Sequence, residues 1–147
     1  MYTAGFLAAA VLLAAPQHSI MAHASEAMGF DQTTTRHDFK SAPDGGSIAV
    51  DVRDPKDTKT RDQIRMHLRH ISTAFKDGDF SLPLLTHGEM PPGVNVMKQK
   101  KNAIAYTYSD TPRGGLVRIR SNDAQALDAI RQFLNYQMTE HRSDSGS

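Results

Sequence analysis

The chain has 147 residues, no cysteine, and 17 basic against 16 acidic side chains, giving a formal charge of +1. The lack of cysteine excludes disulfides, thiolate metal sites, a cysteine nucleophile and a cysteine-borne lipid anchor. The near-neutral charge leaves no electrostatic footprint for nucleic acid, and the cluster Lys98, Lys100, Lys101 reads as a solvated loop.

Residues 1–24 read as a signal peptide. An apolar run over 4–15 ends at Pro16, and Ala22-His23-Ala24 supplies the small-x-small pattern of a cleavage site before Ser25. The run is shorter than the roughly 20 apolar residues that span a bilayer, and no second such stretch follows. The expectation is an exported protein, periplasmic or secreted, with no membrane span once the leader is removed. His18, His23 and Met21 leave with it.

The remainder is expected to form one α+β domain over 25–142, followed by a disordered tail at 143–147. Within it the same unit occurs twice, as repeat one (33–77) and repeat two (102–142), joined by a connection at 78–101. Phe39 lies six residues before Gly45-Gly46, and Tyr108 six before Gly114-Gly115. Each glycine pair is followed by an alternating strand and then by a helix.

After an extended lead-in over 25–32, strands are predicted at 33–41 and 47–53, turning at Pro43-Asp44-Gly45-Gly46. A four-residue loop there would set Phe39 opposite Val50 and His37 opposite Val52. Period-2 alternation puts Thr35, His37 and Phe39 on the same face as Ile48, Val50 and Val52. The first helix begins at the capping-box string Thr60-Arg61-Asp62-Gln63, buries Ile64, Leu68, Ile71 and Phe75, and stops at Gly78.

The connection 78–101 is rich in proline and glycine yet carries Phe80, Leu82, Leu84, Leu85, Val94 and Val96. It is expected to pack across an edge or end of the sheet, and a short strand around 84–86 is an open alternative for part of it. The second hairpin, 102–110 and 116–121, turns at Pro112-Arg113-Gly114-Gly115. The second helix starts at Asn122 or Asp123 and buries Leu127, Ile130, Leu134 and Met138. Two such units make a four-stranded antiparallel sheet with two helices on one face.

Aligning the repeats needs a three-residue insertion before the first helix. It then sets His37 on Tyr106, His67 on Phe133 and His70 on Tyr136. Imidazoles standing where the other copy has aromatic rings mark His37 and His67 as candidate ligand-binding residues, with Tyr106 beside them. His67 falls about 60° from the core direction of its helix and His70 about 120°, so His70 is read as exposed. His87 lies in the connection, with Met90 three residues on and Met97 beyond. Imidazole and thioether donors suit copper(I), so His37, His67, His87, Met90 and Met97 form a candidate set for copper or another transition metal. His141 falls on the buried stripe of the second helix near its C-terminus, where the helix dipole favours the charged form; capping or packing is its expected use.

The strings Met28-Gly29-Phe30-Asp31-Gln32, His37-x-Phe39, Arg65-Met66-His67-Leu68-Arg69-His70-Ile71, Gly78-Asp79-Phe80, His87, Pro92-Gly93 and Met97 together resemble a family of small exported bacterial proteins without an established activity. Some of its members bear the label aspartate carbamoyltransferase. The chain is too short for the two-domain catalytic subunit which that label implies. Its nearest string to the Ser-Thr-Arg-Thr phosphate-binding turn is Thr34-Thr35-Arg36-His37, on a predicted strand. The family carries a second histidine beside the one at His37, where this chain has Arg36.

Three functional classes follow. The first is an exported non-catalytic binding domain, holding a metal or small ligand near His37, His67 and His87. The second is a small hydrolase or isomerase with His37 or His67 as general base. The third is a structural or interaction module that self-associates through a sheet edge or through the outer face bearing Ala49, Asp51, Arg53, Thr107, Arg118 and Arg120. Nucleotide-binding, serine-hydrolase, zincin and EF-hand motifs are absent from the sequence.

Overall fold

A computed structural model describes residues 25–144. The expected leader 1–24 and the last three residues of the expected tail lie outside the described residues. Strands β1 (Thr35–Ala42), β2 (Gly45–Val52), β3 (Ile104–Thr111) and β4 (Gly114–Ser121) form one antiparallel sheet in the order β1-β2-β4-β3. Helices α1 (Thr58–Asp77) and α4 (Ala124–Asp144) cover one face of it. The α+β fold with a four-stranded antiparallel sheet is the one read from the sequence.

Both hairpins turn more tightly than the four-residue loops expected. Ala42 pairs with Gly45 and Thr111 with Gly114, so only Pro43-Asp44 and Pro112-Arg113 lie in the bends. Proline suits the second position of such a turn because its φ is already fixed, and glycine is favoured at the fourth. The pairing moves by two residues as a result: Phe39 faces Ile48 and His37 faces Val50. A slip of two leaves every side chain on its original face, so the expected apolar face survives the wrong register.

The glycine pairs have a packing cause. A Cβ on Gly46 would stand 2.3 Å from Leu134 Cδ1, and one on Gly115 3.1 Å from Leu68 Cδ1, so each second glycine lets a helix leucine settle onto the sheet. A Cβ on the first glycine would strike the backbone of the central neighbour, Gly45 at Ile119 O (2.0 Å) and Gly114 at Val50 O (1.9 Å). These are equivalent contacts in the two repeats. Ile48 pairs with its own repeat equivalent Val117 between β2 and β4, which puts a pseudo-twofold axis at the centre of the sheet.

The helices cross this axis. Helix α1 of repeat one packs mainly on β3 and β4, and α4 of repeat two on β1 and β2. Helix α1 begins two residues before the expected capping box: Asp57 is the N-cap, its Oδ1 accepting from Thr60 N at 3.0 Å. Gly78 ends the helix in the left-handed region at φ 80°, as read from the sequence. Asp123 Oδ1 accepts from Ala126 N at 2.9 Å at the start of α4. The buried stripe of α4 runs through Ala126, Ala129, Ile130, Phe133, Leu134 and Gln137, with Leu127 and Met138 only half-buried at its margins. The helix continues to Asp144, past the expected start of the tail.

Two further segments differ from expectation. The lead-in is a helical turn over 25–28 followed by a 3₁₀ turn at Gln32–Thr34, and it buries Phe30. The connection holds no strand at 84–86; it folds as α2 (Ser81–His87) and α3 (Val94–Gln99), burying Phe80, Pro83, Val94 and Met97. Phe75 stacks on Phe80 at 4.3 Å between ring centroids, and both meet Phe133 edge-on at 5.8 and 6.1 Å. Those three rings form one aromatic cluster in the core. Among the described residues, no helix is long and apolar enough to cross a membrane.

Candidate functional site

The helix crossing carries the inward face of β1 onto α4, and two imidazoles meet there. His37 Nδ1 lies 3.2 Å from His141 Nδ1, and the rings are 4.8 Å apart. The other nitrogen of His37, Nε2, is 3.3 Å from Thr35 Oγ1. Thr35 is buried, and its hydroxyl donates to Gln32 O at 3.0 Å. That hydroxyl has one hydrogen and has spent it, so His37 Nε2–H is the donor to Thr35 Oγ1. His37 Nδ1 therefore carries a lone pair, and His141 donates its Nδ1–H to it.

Two more histidines complete the group. His87 ends α2; its Nε2 lies 2.9 Å from Gln137 Oε1, to which it donates, and its ring lies 6.0 Å from that of His141. His67, on α1, meets Phe30 edge-on at 5.5 Å, and Phe30 meets His37 at 6.2 Å. Phe30 thus closes over both rings from the N-terminal segment. Phe39 stacks on His141 at 5.0 Å.

All four imidazoles line one cavity of about 60 Å³. Its other walls are mostly apolar, from Met28, Phe39, Ile48, Val50, Leu68, Ile71, Phe75, Leu82, Pro83 and Phe133, with Thr86 and Gln137 adding polar atoms. No lysine, arginine, aspartate or glutamate lines it. Burial in this setting disfavours the imidazolium. It pushes His37 down to about 3, helped by the charges of His141, His67 and Arg53. It pushes His67 down to about 4, with a smaller contribution from His70, and His141 down to about 4, with one from His87. The position of His141 near the helix C-terminus favours its charged form, but burial acts the other way and lowers its pKa.

The remaining candidates lie elsewhere. Tyr106 stands on β3, the opposite edge of the sheet, with its ring 6.0 Å from Phe75. It does not line the histidine cavity; its hydroxyl is buried without a hydrogen-bond partner, and burial raises its pKa. Met97 is fully buried in the core, and Met90 borders a separate surface hollow between α3 and α4. Neither thioether joins the histidines, so the expected set of His37, His67, His87, Met90 and Met97 is not assembled as such. Met28 is the methionine that lines the cavity. Among the described residues, no three histidine, aspartate or glutamate side chains stand in a metal-holding group. His70 is exposed, as read from its helical phase.

His141, Gln137, Phe30 and Met28 were not among the expected site residues. A signal for His141 was present in the repeat. The offset that sets His67 on Phe133 also sets Phe75 on His141, and Phe75 is a core ring. The His37–His141 contact is thus the counterpart of Tyr106–Phe75 in the other half. Comparison with protein-family models, with curated protein sequences and with solved structures gives no match.

Proposed function

We propose that this chain is an exported, non-catalytic binding domain whose ligand, a small molecule or a metal ion, is held among His37, His67, His87 and His141. The observation that carries this reading is the convergence of four imidazoles from β1, α1, α2 and α4 on one cavity. The symmetry-equivalent contact in the other half of the fold is filled by Tyr106 and Phe75, so the fold does not itself require histidine there. Export rests on the leader features of residues 1–24.

The size of the cavity limits the ligand. An apolar cavity of about 150 Å³ admits benzene, so about 60 Å³ suits only a few heavy atoms or a single ion. Neutral imidazoles offer both hydrogen-bond donors and lone pairs to such a guest.

Catalysis fits less well. A general base works best with a pKa near the operating pH, and His37 and His67 sit at about 3 and 4. A carbamoyl phosphate substrate would need cationic partners, and the cavity has no lysine or arginine. On the outer face, Arg118 and Arg120 pair with Asp44 at 2.8 and 3.4 Å, and Thr111 donates to Asp51 at 2.7 Å. Those groups satisfy one another without a partner chain.

Imidazole-detected NMR tests the reading. The purified protein is titrated separately with imidazole, phenol, Zn(II) and Cu(I). Saturable shifts at His37 and His141 with at least one probe are expected. Histidine signals unmoved by all four would overturn the binding reading.

A further inference from the structure

We propose that the cavity binds a soft monovalent metal cation of the Cu(I) and Ag(I) class, through the Nδ1 atoms of His37 and His141 and the thioether of Met28. This rests on the binding reading above and narrows its ligand.

The two nitrogens are already close to a metal bite. With metal–nitrogen distances of about 2.0–2.1 Å, as for zinc, two imidazole ligands of a tetrahedral or trigonal ion stand roughly 3.3–3.6 Å apart. His37 and His141 stand at 3.2 Å, so they need part only by a few tenths of an ångström. His37 also has the outer support that metal-bound histidines have. Its Nε2–H is fixed on Thr35, which is fixed on the Gln32 carbonyl, and this leaves the Nδ1 lone pair facing His141. On binding, His141 shifts its hydrogen from Nδ1 to Nε2 and presents a second lone pair; no proton leaves the protein.

The walls select the ion. Hard cations require oxygen ligands, and no carboxylate lines the cavity. A divalent ion would bring two uncompensated charges between apolar walls, a costly transfer. A monovalent ion brings one, offset by dative bonds from imidazole and thioether, the donors that suit Cu(I). The sequence has no cysteine to compete for it.

The test is anaerobic titration with Cu(I) against the chromophoric chelator bicinchoninate, and with Ag(I) as a redox-inert stand-in, followed by imidazole NMR. One ion per chain is expected, with His141 changing tautomer. His141→Phe, which copies Phe75, its equivalent in repeat one, and Met28→Leu should each weaken binding at least tenfold while the chain keeps its fold by circular dichroism. Thr35→Val, which touches only the outer support, should weaken it by about tenfold. His70→Ala should change nothing. No ion taken up, or full affinity in both His141→Phe and Met28→Leu, overturns the proposal. If Cu(I) and Ag(I) leave the histidine signals unmoved while phenol, imidazole or Zn(II) shifts them, the binding reading stands and this inference falls.

Discussion

His37 on β1 and His141 on α4 are 104 residues apart in sequence, and their Nδ1 atoms are 3.2 Å apart in space. Their repeat equivalents, Tyr106 and Phe75, make a ring contact at 6.0 Å. One half of the fold has solved the same packing problem with hydrocarbon and phenol, the other with two polar rings.

A double-mutant cycle on this pair follows from that contrast. His37→Ala and His141→Ala should each cost about 1–3 kcal/mol, because each removes the hydrogen bond between two largely buried imidazoles. The double substitution His37→Tyr with His141→Phe should be more stable than the sum of its single changes, by about 1 kcal/mol or more. Urea denaturation of the parent chain, His37→Tyr, His141→Phe and the double variant measures it, and strict additivity would show that the pair is not coupled.

The pH dependence has a definite sign. His37, His67 and His141 are held below the ordinary histidine value of 6.5, so they stay neutral when folded and take protons when unfolded. Stability should be flat with respect to these groups above pH 6.5 and fall as pH drops from 6.5 toward 4. The unfolded chain then binds about three more protons, a slope approaching roughly 4 kcal/mol per pH unit near pH 5. Chemical denaturation of the metal-free protein at several pH values checks this. A midpoint constant between pH 7 and pH 4.5 would contradict the buried neutral rings.

Phe30 should matter to the titration as well as to stability. Phe30→Ala opens the cover over His37 and His67, and truncating a buried phenylalanine costs about 3–5 kcal/mol. With water admitted, the pKa of His67 should rise from about 4 toward 6.5. Histidine-detected NMR across pH 3–8 reads the shift directly.

The two helix-facing glycines should differ. A Cβ on Gly46 meets Lys40 O as well as Leu134 Cδ1, both at 2.3 Å, and the backbone atom cannot yield cheaply. On Gly115 the near atoms all belong to the Tyr108 and Leu68 side chains, the closest at 2.8 Å. Gly46→Ala should therefore destabilise by several kcal/mol, toward the exceptional end of single substitutions, and Gly115→Ala by about 1–3 kcal/mol. Thermal melts that rank them the other way would refute the packing account.

Much of the fold was legible because it is written in local patterns. Alternation set the inner face of each strand, and the i, i+4, i+7 series of Ile64, Leu68 and Ile71 set the buried face of α1. Gly78 marked the stop of that helix. The errors were also local in kind: turn length around Pro43 and Pro112, and the cap at Asp57 in place of Thr60. The helix over 84–86 was not legible, because a short apolar run has no resolvable period.

The site was half legible. Repeat comparison singled out His37 and His67, and both line the cavity. It passed over His141, whose equivalent Phe75 occupies the matching core position. The spacing of His87 from Met90 marks it in the sequence, yet His87 lines the cavity beside Gln137, while Met90 and Met97 pack elsewhere. Spacing along a loop says little about direction once the loop folds into helices.

By itself the sequence determined the duplicated ββα unit, the apolar faces and the placement of histidines where a sister repeat has rings. Those features depend on neighbours within a few residues, and periodicity records them. Only the tertiary structure decided which histidines meet. Each helix crosses the pseudo-twofold axis to cover the strands of the other repeat, so His37 finds its partner on α4 rather than on the helix that follows it. No local propensity encodes that crossing. It is set by how Leu68 and Leu134 seat on Gly115 and Gly46 across the sheet.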